Sequence, residues 1–180
     1  MQQRRITTTD APHFEQAWDL YLAAFPADER RCLDFQKMVL CDDAYHFDIL
    51  TENDHFVGFV LWWEFEKILY IEHFATLPAL RGKGIGRQVL ADFFTKDNKK
   101  TVLLEVEKPE EEIQVRRINF YQRLGLKLNV HTYFQPSYSV GGTDVELLIM
   151  TYPIEISADE LDDFCKTCHP IIHAATLNKK

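Results

Sequence analysis

The spacing of apolar side chains changes period several times along the chain. A short strand is expected near Arg4–Thr7. Thr9-Asp10, with Pro12 just inside, is a helix start signal, and Phe14, Trp18, Tyr21 and Phe25 then recur at helical spacing until Pro26. Asp34–Leu40 reads as a second, shorter helix. The period then falls to that of strands. Tyr45–Thr51 and His55–Glu64 are rich in β-forming residues, and the polar turn Glu52-Asn53-Asp54 between them predicts an antiparallel hairpin. Ile68–Thr76 is a further strand. Gly86–Lys96 is a helix with apolar Val89, Leu90, Phe93 and Phe94, Thr101–Glu107 is a strand, and Ile113–Leu124 is a helix. Strands follow near Lys127–Phe134 and Val145–Tyr152. Ser157-Ala-Asp-Glu160 forms a capping-box pattern that opens a terminal helix running to about Ala175, with a break or kink at Pro170. Helices, a meander, then strand–helix–strand–helix–strand describe a mixed sheet covered by helices.

Composition narrows the setting more than the chemistry. The chain has 180 residues, and 28 acidic against 20 basic side chains give a formal net charge of −8. A chain of this length fits one domain with its own core. The acidic balance argues against nucleic acid as a partner, since that binding rests on Lys and Arg neutralising phosphates. Arg4 and Arg5 have no apolar stretch behind them, so no secretory signal is expected. The longest apolar run, Phe56–Trp63, is far short of the roughly 20 residues that span a bilayer. The four cysteines are scattered and are expected to be reduced thiols. A cytoplasmic protein with no membrane contact is the resulting expectation.

Three of the seven glycines fall in one stretch, Arg81-Gly82-Lys83-Gly84-Ile85-Gly86, between a strand and a helix. Glycines there let backbone N–H groups turn toward one point, where the helix N-terminus adds positive partial charge. This is chemistry for a phosphate or pyrophosphate. The dinucleotide fingerprint fails, because Arg87 and Val89 stand where its last glycine would be, and the P-loop fails for want of Gly-Lys-Ser/Thr. The pattern Arg-x-x-Gly-x-Gly resembles that of the GNAT superfamily of acyl-CoA-dependent N-acyltransferases, in a bacterial branch. Phe120-Tyr121-Gln122-Arg123-Leu124-Gly125-Leu126 is similar to that family's helix-end signature, and Leu103-Leu104-Glu105-Val106 to the strand before it. Pro26-Ala-Asp-Glu29-Arg30 resembles an N-terminal segment of the bacterial branch.

The resemblance implies an α/β (α+β) fold: a central mixed, mostly antiparallel sheet flanked by helices, with an added C-terminal helix. It implies one domain over 1–180, with a core at about 4–152 and a helical extension at about 157–177. It also implies acetyl-CoA as co-substrate, with no metal, and direct acetyl transfer to a primary amine of a small molecule or peptide. The pyrophosphate would sit on Arg81, Gly82, Lys83, Gly84, Ile85, Gly86 and Arg87. The backbone around Phe74, Ala75 and Thr76 would pair with the pantetheine arm, one amide serving the oxyanion. Glu72 is the expected general base, with Glu105 and Glu107 as runners-up, and Tyr121 the expected acid for the departing thiolate. Simple alternation puts Tyr70, Glu72 and Phe74 on one strand face, and Ile71, His73 and Ala75 on the other.

Two departures from the family pattern stand out. Gln114 replaces an asparagine common seven residues before the tyrosine, and Glu107-Lys-Pro-Glu-Glu-Glu112 is a longer, acidic loop. Trp62, Trp63 and Phe65 read as sheet and core packing, and Tyr133-Phe134-Gln135-Pro136-Ser137-Tyr138 as a wall of an aromatic-lined acceptor site. Cys165-Lys-Thr-Cys168-His169 matches a haem-attachment pattern but sits in an amphipathic helix, which favours packing. The rival to an enzyme is a catalytically silent acyl-CoA-binding sensor. The extra C-terminal helix could cap the sheet or pair with a second subunit in a homodimer.

Overall fold

Asn53 and Asp54 close the central hairpin with φ of 49° and 62°. Two consecutive left-handed residues make the turn whose twist matches that of the flanking strands. The structure, a computed structural model, describes residues 1–174; the end of the expected terminal helix, from Ala175 on, lies outside them. Strands β1 (Gln2–Ile6), β2 (Tyr45–Glu52), β3 (His55–Glu64) and β4 (Ile68–Thr76) run antiparallel in that order. Then β4 pairs in parallel with β5 (Thr101–Val106), which pairs antiparallel with β8 (Val145–Tyr152). Short β6 (Lys127–Leu128) and β7 (Tyr133–Gln135) both pair with β8. The helices are α1 (Phe14–Ala24), α2 (Leu33–Val39), α3 (Ile85–Lys96), α4 (Glu112–Arg123), α5 (Ala158–Thr167) and α6 (His169–Ile172). This is the mixed, mostly antiparallel sheet flanked by helices.

Both faces of the sheet are buried. Phe14, Tyr21, Phe59, Trp63, Tyr70 and Phe164 belong to one core, and Val60, Trp62, Leu69, Ile71, Leu90 and Phe93 to the other. A strand buried on both faces reads as a continuous apolar run, which explains Phe56–Trp63. Trp62 and Trp63 point to opposite cores, each at most 1% exposed.

Three local features depart from the expected elements. Pro12 stands in a turn before α1, whose first residue is Phe14, with His13 at the N-cap in a left-handed conformation. The expected strand at Lys127–Phe134 is split. Asn129 pairs its N–H with the Ile149 carbonyl and Tyr133 pairs with Leu147, so four chain steps oppose two. The buried Asn129 side chain also bonds the Thr151 hydroxyl and accepts the Ile156 N–H, tying the exit of the sheet to the C-terminal helices. There the Ser157–Glu160 capping box starts α5, and the chain breaks before Pro170 into α6. Leu161, Phe164 and Ile172 dock this extension in the first core, each burial contributing roughly 1.5–3 kcal/mol.

The third departure decides where the polar groups go. Leu61 of β3 pairs with His73, and its neighbour Trp62 pairs with Ile71, so Glu72 is an extra residue in β4. A bulge of this kind resets the alternation of side chains. Glu72 and His73 therefore face the same core as Tyr70, while Phe74 passes to the core of Leu69 and Ile71. The simple alternation, which separates Glu72 from His73 and joins it to Phe74, is overturned at this point.

Candidate active site

The glycine stretch lies where a ligand can reach it. A short 3-10 turn at Pro78–Leu80 leads from β4 into it, and Gly82 and Gly84 adopt φ of 77° and 83°. Gly84 is the N-cap of α3 and, lacking a side chain, leaves the first amides of that helix without a side-chain cap. Those amides and the positive end of the helix face outward. Arg81, Lys83 and Arg87 are exposed around them. Gly86 also serves packing. A β-carbon there would lie 3.3 Å from the rings of both Phe74 and Phe120, so its absence lets α3 approach β4 and α4.

From this loop the chain runs back along β4 to the point where the sheet opens. β4 and β5 pair only from Ile68 opposite Thr101 to Ile71 opposite Leu104. β4 then continues beside β3 to Thr76, so among the described residues its Phe74–Thr76 stretch has no strand on the β5 side. One residue past the last pair, each strand carries a glutamate: Glu72 on β4 and Glu105 on β5.

The two carboxylates are held very differently. The Glu72 side chain is fully buried and meets the Arg31 guanidinium at 2.6 and 2.7 Å. It also accepts from the Tyr138 hydroxyl at 2.6 Å and the Trp63 indole at 3.3 Å. Burial alone would raise its pKa, but Arg31, His73 and the Tyr138 bond together bring it down to about 2. A carboxylate so placed is a poor proton acceptor, so the expectation that Glu72 is the general base does not suit its surroundings. Arg31, which no motif in the sequence singles out, is itself buried among the rings of Tyr45, Trp63 and Tyr138, and also donates to the Ile172 carbonyl at 2.8 Å. The only signal for it is its place beside the Pro26–Arg30 segment.

Among the described residues no cation pairs with Glu105. It accepts from Tyr70 at 2.8 Å and Gln135 on Oε2, and from Tyr133 on Oε1. Burial pushes its pKa up to about 7; the bonds from Tyr133, Tyr70 and Gln135 act against that rise, and the charge of Glu72 adds to it. Glu105 and Glu72 both line a cavity with Glu29, His73, Glu107 and Arg117. Burial and the nearby Glu107 raise the pKa of Glu29, and Arg117 is ion-paired to Glu107. His73, buried and lowered to about 4, shares a hydrogen bond of 2.8 Å with the Glu29 carbonyl.

Tyr121 is partly buried beside Phe120 in the second core. Burial pushes its pKa up, with Arg117 acting against the rise, so the phenol keeps its proton at neutral pH. Arg117, one helical turn earlier on α4, lines the cavity, whereas Tyr121 packs against the second core. Gln114 caps its own helix, its side-chain oxygen accepting the N–H groups of Glu110 and Glu111. In the expected acceptor wall, Tyr133, Gln135 and Tyr138 turn inward to the two glutamates, whereas Phe134 is 52% exposed. Among the described residues no group of three or more His, Cys, Asp or Glu side chains is placed to hold a metal, and no helix is long and apolar enough to cross a membrane.

Comparison with known proteins places this geometry. A family model described as "Acetyltransferase (GNAT) family" matches residues 14–126. The solved "Putative acetyltransferase from GNAT family from Bacteroides thetaiotaomicron" is 33% identical with a TM-score of 0.87, covering 96% of this chain and 98% of that one. An aminoglycoside 6'-N-acetyltransferase complexed with coenzyme A is 14% identical, with a TM-score of 0.62 over 87% of this chain and 99% of its own, a likeness of fold. The "Putative acetyltransferase YjbC" of Bacillus subtilis (strain 168) is 29% identical over 103 residues, 55% of this chain. That match spans about half of the relative's length, 50%.

Proposed function

The chain belongs to the GNAT acetyltransferase family, and from that premise we propose that it moves an acetyl group from acetyl-CoA to a primary amine of a small molecule or peptide, directly within a ternary complex. The observation that carries this reading is Glu105: a carboxyl with a pKa of about 7, at the parting of β4 and β5, open to a cavity. A base poised near the working pH is what deprotonation of an ammonium acceptor needs.

In this reading the open amides at Gly82, Gly84, Ile85 and Gly86 hold the pyrophosphate, with Arg81, Lys83 and Arg87 adding charge. The free edge of Phe74, Ala75 and Thr76 receives the pantetheine arm, and one of its amides meets the developing oxyanion. Glu105 takes the proton of the ammonium. The freed nitrogen forms the N–C bond, the C–S bond breaks, the thiolate takes its proton from Tyr121, and the second proton that the nitrogen loses on becoming an amide returns Tyr121 to the phenol. Glu72 is held as an anion by Arg31 and acts through its field on Glu105 rather than as the base. The carboxylates of Glu29, Glu105 and Glu107, set against Arg117, favour a cationic acceptor.

The test is thiol release from acetyl-CoA across amines, polyamines, amino acids and peptide N-termini, alongside a thermal shift with acetyl-CoA alone. Release with one class of amine and a product carrying one acetyl group supports the proposal. Stabilisation by acetyl-CoA with no release across the panel points to the silent binding module instead.

A further inference from the structure

Cys165-Lys-Thr-Cys168-His169, where α5 passes into α6 in the C-terminal extension, is the motif that acetyl transfer leaves unexplained. The structure gives its histidine a partner. His169 is 8% exposed, with Tyr133 and Phe164 set edge to face against its ring, and its Nε2 lies 2.9 Å from the Tyr133 hydroxyl oxygen. That hydroxyl also bonds Oε1 of Glu105. A phenol has one proton, and an ionised carboxylate can only accept. The Tyr133 proton therefore goes to Glu105, and Nε2 of His169 carries the hydrogen that the Tyr133 oxygen accepts. The result is a chain of two donors, His169 to Tyr133 to Glu105, in which each bond polarises the next.

We propose that His169 is a positioning residue of the acetyl-transfer site, acting through Tyr133 to hold that hydroxyl as a donor to the Glu105 carboxylate. The inference rests on the reading of Glu105 as the base. The two oxygens of Glu105 are served separately: Tyr70 and Gln135 bond Oε2, and among the described residues Tyr133 alone bonds Oε1. Turning Tyr133 away would leave that oxygen without its donor. The titratable and charged groups acting on or facing this carboxyl are Tyr70, Glu72 and His73 from β4, Glu107 past the end of β5, Glu29 and Arg117 across the cavity, Tyr133 from β7, Tyr138 from the segment before β8, and Cys165 from α5. Of these, Tyr133 is the one that His169 bonds. The extension also meets the second glutamate, since the Ile172 carbonyl accepts from the Arg31 that pairs with Glu72.

Removing a donor to the charged form raises a carboxyl's pKa. In His169→Leu the Glu105 carboxyl, followed by 13C NMR and assigned with Glu105→Gln, should titrate about half a pH unit or more higher than in the wild type. The acid limb of kcat/KM for thiol release should move with it, while KM for acetyl-CoA stays put. His169→Gln, whose amide keeps an N–H near the Nε2 position, should restore most of both. Tyr133→Phe should shift the titration in the same direction and make a further His169→Leu change silent, which keeps the test available if the single leucine variant folds poorly. An unmoved Glu105 midpoint in both His169→Leu and Tyr133→Phe overturns the proposal, as does a His169→Gln variant that matches the leucine one in both readouts. If Glu105→Gln keeps its activity and its acid limb, the base assignment is what fails; the NMR midpoint still judges the link to His169.

Discussion

Glu72 and Glu105 stand on neighbouring strands, each one residue beyond the last pair of the parallel ladder, and their environments drive their pKa values apart, to about 2 and about 7. Arg31, Tyr138 and Trp63 hold one as an anion; burial lifts the other. Such a divergence separates a fixed charge from a group that can exchange protons.

Glu105→Gln should therefore lower kcat by about a hundredfold or more with acetyl-CoA binding retained. Its effect on stability has a sign that can be worked out. The folded pKa lies above the ordinary value of 4.5, so the folded state binds more protons between 4.5 and about 7, and stability falls as pH rises through that window. The glutamine variant should melt higher than wild type at pH 8, by roughly 2–4 °C for each kcal/mol regained, and not at pH 4. Thermal scans at the two pH values, with thiol release, check both halves.

Arg31→Met leaves Glu72 buried without its cation and should cost about 3–5 kcal/mol at pH 7. Glu72 contributes stability above its ordinary pKa of 4.5, and loses it as pH falls toward about 2. In the variant the carboxyl can protonate in that range, so the cost should shrink at pH 3. Adding Glu72→Gln to Arg31→Met should recover a large part of the loss at pH 7. Urea denaturation of the single and double variants at both pH values measures this.

Gly84→Ala puts a β-carbon on a residue with φ of 83° and open space around it. The strain, about 1–2 kcal/mol, should distort the loop rather than the core. KM for acetyl-CoA is expected to rise by about tenfold with kcat within a factor of two or so, given that about 1.4 kcal/mol is tenfold in binding. Steady-state kinetics with acetyl-CoA as the varied substrate decide it.

Tyr121→Phe removes a phenol that keeps its proton at neutral pH. It should lower kcat by about tenfold or more, with KM for acetyl-CoA little changed. A far smaller effect with a poor thiol leaving group than with a good one would contradict a role as acid to the thiolate.

The glycine loop, the hairpin turn and the succession of strands and helices along the chain were legible because each is written in consecutive residues. Gly82 and Gly84 sit where a left-handed backbone is needed, and Asn53-Asp54 is a turn by composition alone. The two glutamates were legible as candidates, but their roles were not. What distinguishes them is assembled from afar: Arg31 reaches Glu72 across 41 positions, and Tyr133 reaches Glu105 across 28. Such pairings leave no local period to read. The face of Glu72 was hidden for a related reason, because the extra residue is visible only in the pairing of β4 with β3.

That extra residue makes the count of residues in β4 matter as much as their identity. Deleting Glu72 or His73 would restore plain alternation with Phe74 still in the second core, but it would leave one polar side chain where the cluster now has two. Substitutions along this strand can be absorbed one side chain at a time; a change of its length changes how many polar side chains the first core receives. Variation among relatives, and any attempt to graft this site onto another sheet, must therefore conserve spacing before it conserves letters.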